Sequence, residues 1–157
     1  MPNHVINSVR FDSRLDEIRE YVKSEEHGIF DFNKIIPMPD DVVASMNERS
    51  FGTPLWYDWS VENWGTKWNC YEMEHCHEGF QFWTAWSAPE PIFIALSRQF
   101  PDVTITVDFA DEDTGSGNCG TFILSGGDVQ SFEQGDHESA CQLWGYEPVE
   151  EEEENEF

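Results

Sequence analysis

An α+β domain built on one antiparallel sheet is what this sequence predicts, and three observations carry the prediction. Apolar residues alternate with polar ones in short runs such as Val103–Phe109, the two-residue period of a half-buried strand. Two other runs, Leu15–Val22 and Phe93–Phe100, repeat their apolar residues at the spacing of an amphipathic helix. The order in which these runs follow one another then selects the sheet architecture.

Val5 to Phe11 reads as the first strand, with Val5, Asn7, Val9 and Phe11 on one face and Ile6 and Ser8 on the other. Ser13 is placed to cap a helix, with Asp16 three residues on. Leu15, Ile18, Tyr21 and Val22 form its stripe to about Glu25, and Gly28 would end it. Phe30 to Pro39 is apolar and extended, because Pro37 and Pro39 bar a helix. Asp40 or Asp41 could cap a short helix over Val42–Asn47, and Ser50–Pro54 reads as a loop. Leu55 to Trp68 is crowded with Trp and Tyr; a short helix over Ser60–Trp64 is expected there. Cys70–His77 and Phe80–Trp86 alternate on either side of a Glu78-Gly79 turn. Pro89 and Pro91 open a second helix, where proline is tolerated, and Pro101 ends it. After the strand Val103–Phe109 comes a polar loop, Asp111–Asn118. Two more strands, Cys119–Leu124 and Val129–Phe132, then flank Gly126-Gly127, and His137–Trp144 reads as a terminal helix.

That order spells βαββαβ, the ferredoxin-like arrangement, with two helices on one face and strand order 4-1-3-2. An aromatic insertion precedes the second strand, and a hairpin and short helix extend the C-terminus. Residues 1–146 are expected to form the one domain. Residues 147–157, with the block Glu150–Glu154, are expected to be a disordered acidic tail.

Twelve Phe, seven Trp and four Tyr in 157 residues supply a core and argue against wholesale disorder. The charge is extreme: 32 Asp and Glu against 8 Lys and Arg give a net −24, where solubility asks for a magnitude of only ~2–8. The last base is Arg98, and Gln99–Phe157 holds 16 acids and no Lys or Arg. Such a field repels nucleic acid and anionic membranes and attracts basic protein surfaces. No apolar run is long enough for a transmembrane helix, and Met1-Pro2-Asn3-His4 lacks the features of a signal peptide. A cytoplasmic location is therefore expected, with Cys70, Cys76, Cys119 and Cys141 as reduced thiols.

Several blocks resemble a known family. They are Asn3-His4-Val5, Phe32-Asn33-Lys34-Ile35-Ile36-Pro37-Met38-Pro39, Glu62-Asn63-Trp64-Gly65-Thr66-Lys67-Trp68-Asn69, Thr84-Ala85-Trp86-Ser87-Ala88-Pro89 and Pro101-Asp102-Val103. They are similar to the YubB-like, or phage ferredoxin-like, domain family of unknown function, found on phages and plasmids. The resemblance spans roughly Met1 to Gly120 and is most specific in the Trp-Gly-Thr-Lys-Trp-Asn block. It implies a ferredoxin-like fold and residence on a mobile element, and it implies no catalytic activity. The acidic C-terminal segment lies outside it.

Candidate sites follow from charge and from aromatic content. Carboxylates arrayed on a rigid face can occupy a basic groove that normally holds DNA or RNA. Asp102, Asp108, Asp111, Glu112, Asp113, Asp128, Glu133, Asp136 and Glu138 are the expected partner-binding residues. A second candidate surface is the cluster around Trp56, Tyr57, Trp59, Trp64 and Trp68, with Lys67 and Asn69 as polar contacts; interfaces favour such side chains, although aromatic area goes first to burial. Aromatic residues on such a sheet can stack on RNA bases, but the basic surround this needs is missing, so direct nucleic-acid binding is disfavoured.

Zinc is disfavoured by spacing: His75 and His77 face away from Cys76 on a strand, and no Cys-x-x-Cys pair occurs. A calcium loop over Asp111–Asn118 fails where a bidentate Glu is needed, at Phe122. No nucleophile elbow, Walker loop or metalloprotease motif occurs. The expected function is non-enzymatic and without cofactor: an acidic phage protein that binds and blocks a basic, nucleic-acid-handling host protein, in the manner of an anti-restriction or anti-CRISPR inhibitor. An aromatic module for a peptide or small ligand is the alternative, and a Cys/His metalloprotein or enzyme the third.

Overall fold

β1 (His4–Phe11) lies inside the sheet because both of its edges are used. On one side it pairs with β3 (Gly79–Ala85), which forms a hairpin with β2 (Tyr71–Cys76). On the other it pairs with β4 (Ile105–Asp111), beyond which lie β5 (Cys119–Ser125) and β6 (Asp128–Gln134). Every pairing is antiparallel, and the order is β2-β3-β1-β4-β5-β6. The first four strands thus stand in the expected 4-1-3-2 order, with β1 and β4 as neighbours. These facts come from a computed structural model that describes residues 3–47 and 52–146. The segment expected as an acidic tail lies outside the described residues.

The two-residue period of β1 sorts its side chains as expected. Val5, Val9 and Phe11 point into the main core, where Ile18 and Val22 of α1 (Leu15–Val22) and Ile92, Phe93 and Leu96 of α4 (Glu90–Gln99) cover them. The insertion adds Phe30 and Phe32 to that core, and Phe30 packs 4.7 Å from Phe82. It also contributes two helices, α2 (Asp40–Ala44) and α3 (Leu55–Trp64). The opposite face is partly covered as well. Ile6, Ala110 and Cys119 meet Ala140 of α5 (His137–Trp144), and Trp144 Nε1 donates to the Ala110 carbonyl at 2.9 Å. No described helix is long and apolar enough to cross a membrane.

Several boundaries differ from expectation for local reasons. α1 is not capped by Ser13. Its N-cap is Arg14 in the left-handed region (φ 58°), where the guanidinium reaches both Glu17 and Asp102. The helix stops at Val22 because Lys23 turns extended, and Gly28 instead bridges back to Ser24. Pro39, rather than Asp40 or Asp41, caps α2, which passes into a 3-10 turn at Ser45–Asn47. α3 starts at Leu55, earlier than Ser60. β4 starts at Ile105, since the Val103 amide closes a turn onto the Phe100 carbonyl at 3.0 Å. Trp86 leaves the strand pattern altogether, with φ 70° just after β3. Gly79 is required where β3 crosses β1, because a Cβ there would run into the Val9 carbonyl oxygen.

Candidate functional site

The strand order gathers the described part of the base-free segment, up to Tyr146, into one half of the sheet and its connections. β4, β5, β6 and α5, with their connections, carry all nine predicted acids and no Lys or Arg. Across the face that α5 packs on, the register sets Ser8, Asp108, Thr121 and Glu133 in one row. A groove of about 290 Å³ runs between that row and α5, lined by Asp108, Thr121, Ser139, Gln142 and Leu143 among others.

The nine acids do not form a single array of free carboxylates, because five are committed to the fold. Asp102 pairs with Arg14 at 2.7 Å. Asp108 pairs with Arg10 at 2.8 Å and accepts from Thr121 Oγ1 at 2.6 Å. Asp111 is buried and accepts from Asn3 Nδ2, the Asp113 amide and Asn118 Nδ2. Glu112 accepts from the His4 amide at 3.1 Å. Asp136 caps α5: its carboxylate accepts the Ser139 amide while Ser139 Oγ accepts the Asp136 amide, and donation from the Ser139 amide, then its hydroxyl, holds the carboxyl below the ordinary aspartate range. Asp113, Asp128, Glu133 and Glu138 remain exposed, on the β4–β5 loop, β6 and the first turn of α5.

The aromatic set divides too. Trp64 belongs to the core: it is 2% exposed, and its Nε1 donates to the Ile36 carbonyl at 2.8 Å. Trp59 packs edge-on against it at 5.2 Å. Asn69 serves the fold, with Oδ1 accepting the Phe32 and Cys70 amides and Nδ2 donating to Asp31. Trp56 stacks on Trp68 at 6.4 Å, and the Lys67 ammonium lies 4.4 Å from the Trp68 ring and 5.0 Å from the Trp86 ring. Tyr57 meets Trp86 edge-on at 6.3 Å. Alternation in the sequence places Trp86 on a strand, whereas the structure puts it just past β3 at φ 70°, with its ring beside Lys67.

Three of the thiols are kept protonated by their surroundings. Burial pushes the Cys70 thiol well up, with Asp31 adding to it, and the Sγ donates to the Phe30 carbonyl at 3.1 Å. Burial also raises Cys76, with Glu74 contributing, and Cys119, with Asp136 contributing. Raised thiols supply little thiolate, the form that attacks substrates or binds metals. Among the described residues no three His, Cys, Asp or Glu side chains converge to hold a metal ion.

No curated protein and no solved structure matches the chain. A family model described as a ferredoxin-like domain in Api92-like protein matches residues 63–157. The match runs from the end of α3 through β2, β3, α4, β4, β5, β6 and α5 to the acidic end. The hairpin and α5, which the resemblance in sequence left largely outside, fall within this range. β1 and α1 precede it, although β1 sits between two of the matched strands. With more than half of its length matched in this way, the chain belongs to the family of ferredoxin-like domains in Api92-like protein.

Proposed function

We propose that this chain is a non-enzymatic binding protein of a phage or other mobile element, acting in the host cytoplasm. It blocks a basic, nucleic-acid-handling host protein by presenting carboxylates in place of phosphates. The supporting observation is segregation: one half of the sheet, with its connections and α5, carries nine acids and no base of its own, Arg10 and Arg14 reaching Asp108 and Asp102 from β1 and the start of α1. The mobile-element origin rests on the resemblance of the Trp-Gly-Thr-Lys-Trp-Asn block. Attraction of this kind speeds encounter and is screened beyond ~8–10 Å at physiological ionic strength.

The contacting carboxylates of this proposal are Asp113, Asp128, Glu133 and Glu138, with the half-exposed Asp108 beside them. The test is capture of host nucleases and effectors at low and high salt, followed by inhibition assays on whatever is captured. Neutralising the four exposed acids together should weaken binding about tenfold or more. Deleting Glu150–Glu154 should weaken it less, because a tail must be ordered at an entropic cost. A captured partner whose affinity ignores both salt and these acids would overturn the proposal. A second reading, an aromatic module for a peptide or small ligand, is favoured by the part-exposed Trp56–Trp68 stack.

A further inference from the structure

We propose that the cleft between the indoles of Trp68 and Trp86 is a receptor for a lysine ammonium of a basic partner protein, and that Lys67 fills it in the unbound chain. The inference deepens the proposed function by naming a side chain of the partner that is gripped. It rests on that reading only for the partner's basic character.

The resident cation defines the chemistry. Lys67 Nζ faces two indoles, at 4.4 Å and 5.0 Å from their centroids. An ammonium between aromatic faces is the arrangement by which proteins recognise alkylammonium groups. Lys67 takes part in none of the four ion pairs among the described residues, in a chain with 32 acids. Its head group is thus held by rings where carboxylates are abundant.

The Trp86 wall is fixed by its backbone. Trp86 is 44% exposed and sits at φ 70°, a strained backbone for a bulky side chain. Two bonds hold it there: its amide donates to the Asn3 carbonyl at 2.9 Å, and its carbonyl accepts from Asn118 Nδ2 at 2.8 Å. Tyr57 meets the Trp86 ring edge-on, and Trp56 stacks nearly parallel, at 15°, with Trp68. A strained backbone that holds a part-exposed indole in place, with a further ring packed against each wall, suits a preformed recognition site. Lys67 itself is easily displaced. It sits in the loop after α3, and its flexible stem can swing the ammonium into water. The net charge of −24 supplies the replacement, because it concentrates basic polypeptides around the chain.

The test uses the full chain, labelled with ¹⁵N, and reads the tryptophan indole N–H signals. The probes are end-blocked Gly-Lys-Gly, its trimethyl-lysine form, and a norleucine peptide of the same length. Lys67→Met removes the resident ammonium at similar size. It should bind the lysine peptides roughly tenfold more tightly than the native chain, the scale of removing one competing cation–π contact. The shifts should be confined to Trp68, Trp86 and the rings packed against them. Trp86→Leu in the Lys67→Met background should abolish binding; Trp68→Leu serves the same purpose where Trp86→Leu does not fold. No gain in Lys67→Met would overturn the inference, and so would equal binding of the norleucine peptide or binding that survives loss of a wall. These small probes bypass the acidic sheet half. Salt-dependent capture that persists when the cleft fails leaves the acidic reading standing, and the converse result leaves the cleft standing.

Discussion

Asp31 and Asn69 form a polar lock between the insertion and the start of β2. Asn69 Nδ2 donates to Asp31 Oδ1 at 2.8 Å, and the Asn33 amide donates to the same oxygen at 2.9 Å. Burial alone would raise the Asp31 carboxyl. Hydrogen bonds from Ser24, Asn69 and the Asn33 amide, with His27 nearby, outweigh it and hold the group below the ordinary aspartate value of 3.8. A carboxyl depressed by folding stabilises the protein above its unfolded value, and that contribution is lost as pH falls through the folded one. Asp31→Asn should therefore be less stable than the native chain at pH 7, and the gap should close below about pH 4, as urea denaturation at several pH values would read. A gap independent of pH would mean that shape, not charge, sets the role of Asp31. Trp64 makes a plainer case. It loses ring contacts with Phe32 and Trp59 and leaves the Ile36 carbonyl without its donor when truncated. Trp64→Ala is expected to cost about 3–5 kcal/mol by denaturant unfolding, in the range of large-to-small core changes.

α5 shows what a single element needs. At eight residues it is too short to persist alone, so it depends on its capping box and on docking against Ile6, Ala110 and Cys119. Asp136→Ala should fray its first turn, raising amide exchange at Ser139–Cys141 while β1 and β4 stay protected. Protection unchanged at Ser139 would show that docking alone holds the helix. The limits of this helix, His137–Trp144, were legible in the sequence, and the structure supplies the local reasons: the Asp136 cap and the left-handed Gly145 at its end. The inner strands were legible for the same reason, since alternation sorts Val5, Val9 and Val107 to one face without knowledge of their partners. α3 was read too short because Leu55 and Val61 stand exposed on it and blur the stripe. The start of α1 was misplaced because the left-handed Arg14 is held partly by Asp102, 88 residues away in sequence. The candidate site was less legible than the fold. Charge marked the acidic half, but whether a carboxylate is free or bonded depends on distant donors, such as Asn3 to Asp111 and Arg10 to Asp108. Trp86 was invisible because positive φ in a tryptophan has no local signal.

At the scale of the whole molecule, two opposite electrostatic effects compete. The described residues hold four ion pairs, at Arg10–Asp108, Arg14–Glu17, Arg14–Asp102 and Lys23–Glu20, all with substantially exposed side chains. Added salt weakens each of them, but exposed pairs contribute little to begin with. Against them stands a net charge of −24, whose self-repulsion opposes the folded state and is also screened by salt. The repulsion is summed over many more carboxylates than the pairs can offset. Raising salt from about 10 mM to about 1 M, which shortens the screening length from about 30 Å to about 3 Å, should therefore raise Tm at pH 7. The expected rise is largest over the first part of that range, where long-range repulsion within the acidic half is removed while contacts at 2.7–2.9 Å survive. Neutralising Asp113, Asp128, Glu133 and Glu138 together should flatten the salt dependence and raise Tm at low salt, because none of the four is committed to the fold. The same four changes should weaken partner capture. A chain made more stable by substitutions that impair its binding would show that these carboxylates are retained for recognition at the expense of stability. If Tm instead falls with salt, the ion pairs dominate, and the exposed acids are better read as an ordinary solvated surface.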